Sequence, residues 1–180
     1  FHPSFSELLA RITVAGKTEV NKVYDPACGS GSLLLNFVKV LGHDKVRQGF
    51  FGQEINLTTY NLCRINMFLH DVNYEKFNIA HGDTLTDPAH WDDEPFEAIV
   101  SNPPYSIKQW NREGWMTDPW GRNFLGTPPQ GRADYAFFQH ILKSMDRKTG
   151  RCAILFPHGV LFRKEESELR RKLVEHKLID

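Results

Sequence analysis

The sequence predicts one α/β domain whose sheet is mostly parallel and has helices on both faces. Short apolar segments alternate with segments of helical periodicity along the chain, which is the pattern that β-α-β units produce. The length of 180 residues suits a single domain with a sizeable core. No internal repeat or low-complexity segment in the sequence indicates another architecture.

The first half of the chain predicts three helices and three strands. In order, they are a helix over residues 5–12, a strand at 22–24, a helix over 33–41, a strand at 49–52, a helix over 57–69 and a strand at 77–80. Gly16 and Gly42 follow the first two helices and are suited to end them. Asn56 is placed to cap the third helix. The apolar positions of this third helix include Leu57, Tyr60, Ile65 and Leu69.

The second half begins with an apolar strand over residues 96–100, which two prolines stop because neither can donate a hydrogen bond to a sheet. The elements that follow are a long connection over residues 106–132, a helix over 133–145, a strand over 152–156 and a charged helix over 164–175 whose inward face is Leu169 and Leu173. The chain does not begin with Met, and residues 178–180 resemble the start of a further strand. We therefore expect a domain that is truncated at both ends.

The composition narrows the possible functions. The formal net charge is zero, from 22 basic and 22 acidic side chains, whereas proteins that bind nucleic acid alone are more often basic. Any nucleic-acid role must therefore rest on a local patch or on a partner subunit. Three widely spaced cysteines argue against a disulfide framework and for a reducing compartment, the cytoplasm. No apolar run reaches membrane-spanning length, and the eight histidines have no metal-ligand spacing.

A glycine-rich loop follows the first strand. Asp25 ends the strand, and the loop before the helix contains Gly29, Ser30, Gly31 and Ser32. A strand, a G-x-G turn and a helix in this order bring the backbone close to an adenosine-type ligand, where a Cβ atom would occupy the space of the ligand. Cys28 precedes the first glycine, and we expect it to be a small packed residue rather than a nucleophile.

Acidic residues at the tips of neighbouring strands indicate which ligand the loop binds. Glu54 lies 25 residues after Gly29, near the spacing at which an acid binds ribose hydroxyls in dinucleotide folds. Asp83, at the third strand tip, is placed to accept a hydrogen bond from an adenine amino group. Leu34 replaces the third glycine of a dinucleotide fingerprint, and Asp25 favours positive charge over phosphate. These features predict S-adenosylmethionine, which has a sulfonium, an ammonium group and no phosphate.

The motif Asn102-Pro103-Pro104-Tyr105 indicates the chemistry. If the strand before it pairs with the first strand, the motif lies beside the glycine loop. The exocyclic amino group of a base is a poor nucleophile because its lone pair is delocalised into the ring. The Asn102 oxygen and the Pro103 carbonyl can each accept one N–H of that group and so free the lone pair. Pro104 holds Pro103 extended, and Tyr105 offers a flat face for stacking on a base taken out of its helix.

Two further segments combine basic residues with other features. In residues 106–132, three tryptophans alternate with Lys108, Arg112, Arg122 and Arg132, which suits either a nucleic-acid channel or a lid whose tryptophans pack on the sheet. Residues 163–164 and 170–172 form a second basic cluster. Because glutamates interrupt it, we expect a solvated helix face there.

The chain resembles the modification subunit of type I restriction–modification systems in six segments. In order, they are DPACGSGSLL, GFFGQEIN, HGDTL, IVSNPPYS, ADYAFFQHIL and GRCAILFPHGVLFR. Those subunits are adenine-N6 DNA methyltransferases that use S-adenosylmethionine. The resemblance implies that residues 1–180 are a Rossmann-like methyltransferase catalytic domain within a longer subunit. It further implies double-stranded DNA with a flipped adenine as substrate, and a complex of two modification subunits with one DNA-specificity subunit, to which restriction subunits add.

The resemblance also assigns roles to residues. The cofactor contacts fall on Asp25, Gly29, Ser30, Gly31 and Ser32, with Glu54 at the ribose and Asp83 near the adenine. The target-base motif falls on Asn102, Pro103, Pro104 and Tyr105. The family usually has an aromatic-x-Thr-Pro stretch that touches the cofactor before the first helix. Residues 1–4, Phe-His-Pro-Ser, stand in that place without the threonine.

The residues alone leave other functions open. The same acceptor geometry would serve cytosine N4, an amino group of an RNA base or a glutamine side chain of a protein. An inactive domain that serves as a DNA-binding or assembly scaffold is a further alternative, although the intact motif at residues 102–105 argues against it.

Overall fold

A computed structural model describes residues 3–105 and 107–179, with side chains from residue 5 onward. Its strands are β1 (Val23–Asp25), β2 (Phe50–Glu54), β3 (Phe77–His81), β4 (Ala98–Ser101) and β5 (Arg151–Ile154). Its α-helices are α1 (Pro3–Thr13), α2 (Ser32–Leu41), α3 (Leu57–Leu69), α4 (Arg112–Met116), α5 (Asp134–Ser144) and α6 (Ser167–Glu175). None of the helices in these ranges is both long and apolar enough to cross a bilayer. Residues 1 and 2, at the start of the aromatic-x-Thr-Pro position, lie outside the described residues.

The described strands form one parallel sheet in the order β3-β2-β1-β4-β5. Val23 of the central strand β1 is in register with Phe50 of β2 on one side and with Ala98 of β4 on the other. The chain therefore runs outward from β1 to β3 and then returns to the opposite side of β1. This reversal opens a crevice at the carboxyl ends of β1 and β4. The prediction that the strand before Asn102 pairs with β1 is confirmed.

Helices cover both faces of the sheet because successive side chains of β1 point to opposite sides. Val23 belongs to the core that α1, α2 and α3 form on one face, with Phe37 and Met67 among its buried residues. Tyr24 faces the other way and packs with Ile141 of α5. The predicted architecture is confirmed, and the two cores fix the orientation of β1 from both sides.

Helix α3 begins where the sequence predicts it, since the Asn56 side chain accepts a hydrogen bond from the Thr59 N–H at 3.0 Å. The face of α3 that packs inward is not the predicted one, since the apolar residues Leu57, Ile65 and Leu69 are all more than half exposed. The buried residues are Cys63 and Met67. Apolar residues therefore occupy both sides of this helix, so its periodicity does not determine which side packs.

The predicted basic cluster near the end of the chain is only partly a solvated face. Arg163 is partly buried and pairs with two buried carboxylates, Asp134 at 2.7 Å and Glu166. Arg171, in contrast, is exposed and pairs within α6 with Glu168 and Glu175. The expectation of a solvated face is wrong for Arg163. Its partner Asp134 lies on α5, and a contact between residues so far apart in sequence is not visible in the local charge pattern.

Candidate active site

A cavity of about 310 Å³ lies where β1, β2, β3 and β4 end. The predicted site residues that line it are Gly29, Glu54, Asp83, Asn102 and Pro104. The glycine loop and the Asn-Pro-Pro-Tyr motif are about 70 residues apart in sequence (29 to 102), yet they contribute to one cavity. The pairing of β4 with β1 accounts for this meeting.

The two glycines of the loop are required for different physical reasons. Gly29 has a φ of +54°, and a Cβ built on it meets no atom within 4 Å. Gly31 has a φ of +86°, and its Cβ would lie 2.8 Å from Cys63 Sγ and 3.2 Å from Met67 Cε. Gly29 thus leaves open space beside the cavity, as expected for ligand approach. At Gly31 the demand for glycine comes from the packing of α3 instead.

Glu54 joins the tips of β1 and β2. Its Oε2 accepts a hydrogen bond from the Gly29 N–H at 2.9 Å, and its Oε1 accepts one from the Asn56 N–H at 3.1 Å. Each carboxylate oxygen has a second lone pair. Glu54 can therefore bind a hydroxyl of a ligand while it holds the glycine loop in place.

Asp25 is a fully buried carboxylate behind the wall of the cavity that Pro26 and Ala27 form. Its Oδ1 accepts a hydrogen bond from the Ala27 N–H at 3.0 Å, whereas its buried Oδ2 has no partner among the described residues. Burial raises the pKa of Asp25 to about 7 and the charge of Glu54 adds to the shift, whereas the Ala27 N–H and the nearby Ser101 side chain oppose it. A buried carboxylate without a cationic partner is suited to receive positive charge from a ligand.

The loop after β3 is held in a fixed turn. The Asp83 Oδ1 accepts a hydrogen bond from the Leu85 N–H at 2.9 Å, and the Asp83 carbonyl accepts one from Asp87 at 2.8 Å. The Thr84 hydroxyl donates to the Pro26 carbonyl at 2.5 Å. The loop that carries Asp83 is therefore tied directly to the loop that follows Asp25.

The Asn-Pro-Pro-Tyr motif follows β4 at the edge of the cavity. Pro103 is buried, while Asn102 and Pro104 are exposed. The Tyr105 hydroxyl lies 2.9 Å from Asn102 Oδ1 and 3.2 Å from the Leu155 carbonyl oxygen, so its proton is shared between two acceptors. Burial raises the pKa of Tyr105, and the charge of Asp134 adds to the shift. The hydroxyl is thus a donor that occupies the Asn102 oxygen in this state.

The remaining predicted site residues lie near the cavity without lining it: Asp25, Ser30, Gly31, Ser32, Pro103 and Tyr105. Ser30 has a role in the loop, since its carbonyl accepts a hydrogen bond from the Asn66 side chain of α3 at 2.9 Å. Eleven further residues line the cavity without having been assigned to the site from the sequence, among them Gln53, Ile107, Gln109, Trp110 and Phe137. Of these five, Gln53 has a sequence signal because it precedes Glu54 at the strand tip, and Trp110 belongs to the tryptophan-rich connection.

The connection after the motif packs on the domain through its aromatic residues. Trp110 and Trp115 are buried in a cluster with Leu85 and Phe137, and Arg122 is fully buried. Lys108 is exposed. The sequence left open whether this segment forms a nucleic-acid channel or packs through its tryptophans. Trp110 and Trp115 are packed, and the expectation of a basic channel is wrong for Arg122 because its charge is buried.

A larger groove of about 640 Å³ runs along β5. Apolar residues such as Ile12, Phe138 and Leu173 line much of it, and no predicted site residue is among them. Size alone therefore does not identify the site, whereas the smaller cavity combines polar groups from four strand ends.

Cys28 is packed as expected. Its sulfur lies 3.9 Å from that of Cys63, and the Cys63 thiol together with burial raises the pKa of Cys28. Such a thiol is not activated as a nucleophile. Within the part of the chain that the structure describes, no three His, Cys, Asp or Glu side chains come together as metal ligands.

This parallel sheet, with a G-x-G loop after its central strand and acids at the next two strand tips, is the fold of the Rossmann-like methyltransferases. Residues 2–180 match the family model described as N-6 DNA Methylase. The chain belongs to that family.

Relatives of the chain agree with this assignment. The type I restriction enzyme MpnII methylase subunit of Mycoplasma pneumoniae is 43% identical over 97% of the chain, which corresponds to 34% of that subunit. The HindI methylase subunit of Haemophilus influenzae is 32% identical over 88% of the chain and 36% of its own length. A crystal structure of the type I restriction-modification methyltransferase subunit from Streptococcus thermophilus superposes with a TM-score of 0.89 at 37% identity, over 100% of this chain and 39% of that one. The chain thus spans little more than a third of each relative.

Proposed function

We propose that this chain is the catalytic domain of a DNA methyltransferase that transfers a methyl group from S-adenosylmethionine to adenine N6. The single observation that carries the proposal is that Gly29, Glu54, Asp83 and Asn102 line one cavity at the switch point of the sheet. Family membership and the similarity to methylase subunits support the choice of DNA as substrate.

The residues of the cavity fit S-adenosylmethionine. Its ribose hydroxyls would bind Glu54, and its adenine amino group would bind the Asp83 carboxylate. The unpartnered Oδ2 of Asp25 suits the positive charge of the ammonium or the sulfonium. The open space at Gly29 leaves room for the ligand beside the backbone. When bound, the cofactor supplies an electrophilic methyl group.

The target base would lie at the Asn-Pro-Pro-Tyr motif. Asn102 Oδ1 and the Pro103 carbonyl would accept the two N–H groups of the adenine amine, so that its lone pair is available for bonding. Tyr105 would stack on the flipped base. Because these groups orient the amine and bind its protons rather than supply a strong base, catalysis depends on positioning and electrostatics.

We also propose the assembly that the type I relatives suggest. The chain would act within a longer modification subunit, two of which would bind one DNA-specificity subunit, and restriction subunits would join this complex. The zero net charge agrees with recognition of DNA by a partner.

Labelled methyl transfer tests the proposed function. The full-length subunit is incubated with tritiated S-adenosylmethionine and DNA, with and without its specificity partner, and the DNA is digested to nucleosides. We expect label in N6-methyladenine only when both proteins are present. Label in N4-methylcytosine, or in the protein or RNA of parallel reactions that contain them, would replace the proposed substrate with that acceptor. A subunit that binds the cofactor and never transfers its methyl group would be a scaffold instead.

A further inference from the structure

Arg122 is a fully buried cation outside the residues assigned above. Its guanidinium has five N–H groups, and each has an acceptor. The Nε–H and one Nη2–H donate to the Asp118 carboxylate at 3.0 and 2.8 Å. The other Nη2–H donates to the Leu85 carbonyl at 2.6 Å, and Nη1 donates to the Thr84 carbonyl at 2.9 Å and to His140 at 3.2 Å.

The contact with His140 extends this network to the central strand. Arginine can only donate, so His140 Nδ1 must accept and its Nε2 must carry the proton. Nε2 then donates to the Tyr24 oxygen, which is 2.8 Å away on β1. Burial and the charge of Arg122 both lower the pKa of His140, which agrees with a neutral ring.

Two of the acceptors place Arg122 behind the cofactor end of the cavity. Thr84 and Leu85 immediately follow Asp83, and all three line the cavity. The Leu85 N–H orients the Asp83 carboxylate, and the Thr84 hydroxyl binds the Pro26 carbonyl. Arg122 therefore holds the backbone on which the position of Asp83 depends.

Arg122 also joins this loop, through Trp115, to a second segment that lines the cavity. Its guanidinium lies 4.9 Å from the Trp115 ring centroid, and Trp115 contacts Trp110 edge to face at 6.2 Å. Trp110 lines the cavity together with Asp83. One side chain thus fixes two walls that come from segments about 25 residues apart in sequence, 83–85 and 110.

We propose that Arg122 is a positioning residue of the cofactor site, which sets the distance between the Asp83 loop and the Trp110 wall. The proposal rests on the proposed function because it takes S-adenosylmethionine as the ligand. Lysine cannot replace Arg122, since an ammonium group has three donors from one point and cannot reach five acceptors spread around a plane. A shift of about 1 Å in a positioned group can reduce binding or rate by about 100-fold.

The test compares Arg122→Lys with Arg163→Lys in the full-length subunit. Arg163 is partly buried and also pairs with buried carboxylates, but neither Asp134 nor Glu166 lines the cavity. Calorimetry gives Kd for S-adenosylmethionine, S-adenosylhomocysteine and adenosine, and thermal unfolding gives Tm. We expect Arg122→Lys to raise all three Kd values by about 10-fold or more, and Arg163→Lys to lower Tm comparably with Kd within about threefold of the wild type.

Transfer kinetics give a second readout. Lost cofactor positioning raises KM for S-adenosylmethionine more than it lowers kcat. If Arg122→Lys does not fold, Asp118→Asn and its control Glu166→Gln make the same comparison. Unchanged Kd in a folded Arg122 or Asp118 variant would overturn the proposal, as would an equal loss in the controls. A wild-type subunit that binds no cofactor would overturn the proposed function itself.

Discussion

The Tyr105 hydroxyl occupies the acceptor that the proposed chemistry assigns to the target amine. It lies 2.9 Å from Asn102 Oδ1 and has an alternative acceptor in the Leu155 carbonyl. When a base binds, one N–H donor at Asn102 can replace another while the tyrosine proton moves to Leu155. Because the number of hydrogen bonds is conserved in this exchange, the motif keeps its asparagine oriented without strongly opposing the base.

Substitution of Asn102 separates binding from transfer. Asn102→Ala removes an acceptor for the amine and leaves the glycine loop intact, so we expect the cofactor Kd to stay within a few-fold and transfer to fall by about 100-fold or more. Tyr105→Phe is the matched control, since it keeps the ring and removes only the hydroxyl. Its transfer rate should stay within about tenfold of the wild type. Calorimetry and labelled transfer measure both quantities, and loss of cofactor binding in Asn102→Ala would contradict the assigned role.

Asp25 should make cofactor binding depend on pH. Its pKa is about 7 because of burial, so the carboxylate is protonated below that pH and cannot balance a cationic ligand. We expect affinity for S-adenosylmethionine to rise about tenfold between pH 6 and pH 8. The amino group of the ligand also titrates, and the difference between wild type and Asp25→Asn at each pH isolates Asp25. A parallel pH dependence in the two proteins would refute its role.

The same group has a predictable effect on stability without ligand. A folded-state pKa above the ordinary value of 3.8 means that ionisation of Asp25 disfavours folding. The penalty is absent below about pH 4, grows as the pH rises toward 7 and is complete above it. Asp25→Asn should therefore stabilise the ligand-free protein at pH 8, by a few kcal/mol at most, and have little effect at pH 4. Denaturant unfolding at the two pH values measures this difference.

At the scale of elements, the contact between the glycine loop and α3 yields a further prediction. Gly31→Ala combines a φ of +86° with a clash against Cys63, so we expect about 2–4 kcal/mol of destabilisation. Gly29→Ala has the strained φ without a clash, and should lose about 1–2 kcal/mol. Gly29→Ala should weaken cofactor binding more than Gly31→Ala does. Adding Cys63→Ala to Gly31→Ala should recover part of the stability in denaturant titrations; no recovery would show that Cys63 is not the obstacle.

The strands and the glycine loop could be predicted because their signals are local. An apolar run that ends at Asp25 or Asn102 marks a strand tip in the sequence itself, and the alternation with helices determines that the tips meet at one edge. The exposed residues of α3 and the burial of Arg122 could not be predicted this way. Both depend on partners from distant segments. The side of α3 that carries Cys63 packs inward because it fits against Gly31, which has no Cβ atom. Arg122 can be buried because the Asp118 carboxylate and the Thr84 carbonyl accept hydrogen bonds from its guanidinium.

At the scale of the whole molecule, the charge balance bears on how DNA reaches the site. With 22 cations and 22 anions the chain has no net attraction for a phosphate backbone, and two of the arginines that the sequence offers, Arg122 and Arg163, are neutralised by buried carboxylates. The other twenty cations have no net excess over the anions of the chain, so the domain as a whole does not present a concentrated positive charge to a duplex. The salt dependence of binding should therefore come from elsewhere in the assembly.

We expect the full-length modification subunit alone to bind a labelled duplex weakly, with an affinity that changes little between 50 and 200 mM salt. With the specificity subunit, affinity should rise by about 100-fold or more and fall by about 1,000-fold over the same salt range, as for a protein that contacts about six phosphates. Fluorescence anisotropy measures both curves, and calorimetry confirms that the subunit alone still binds the cofactor. Tight, steeply salt-dependent binding by the modification subunit alone would mean that its own surface concentrates positive charge at the site, and that the partner supplies sequence recognition rather than affinity.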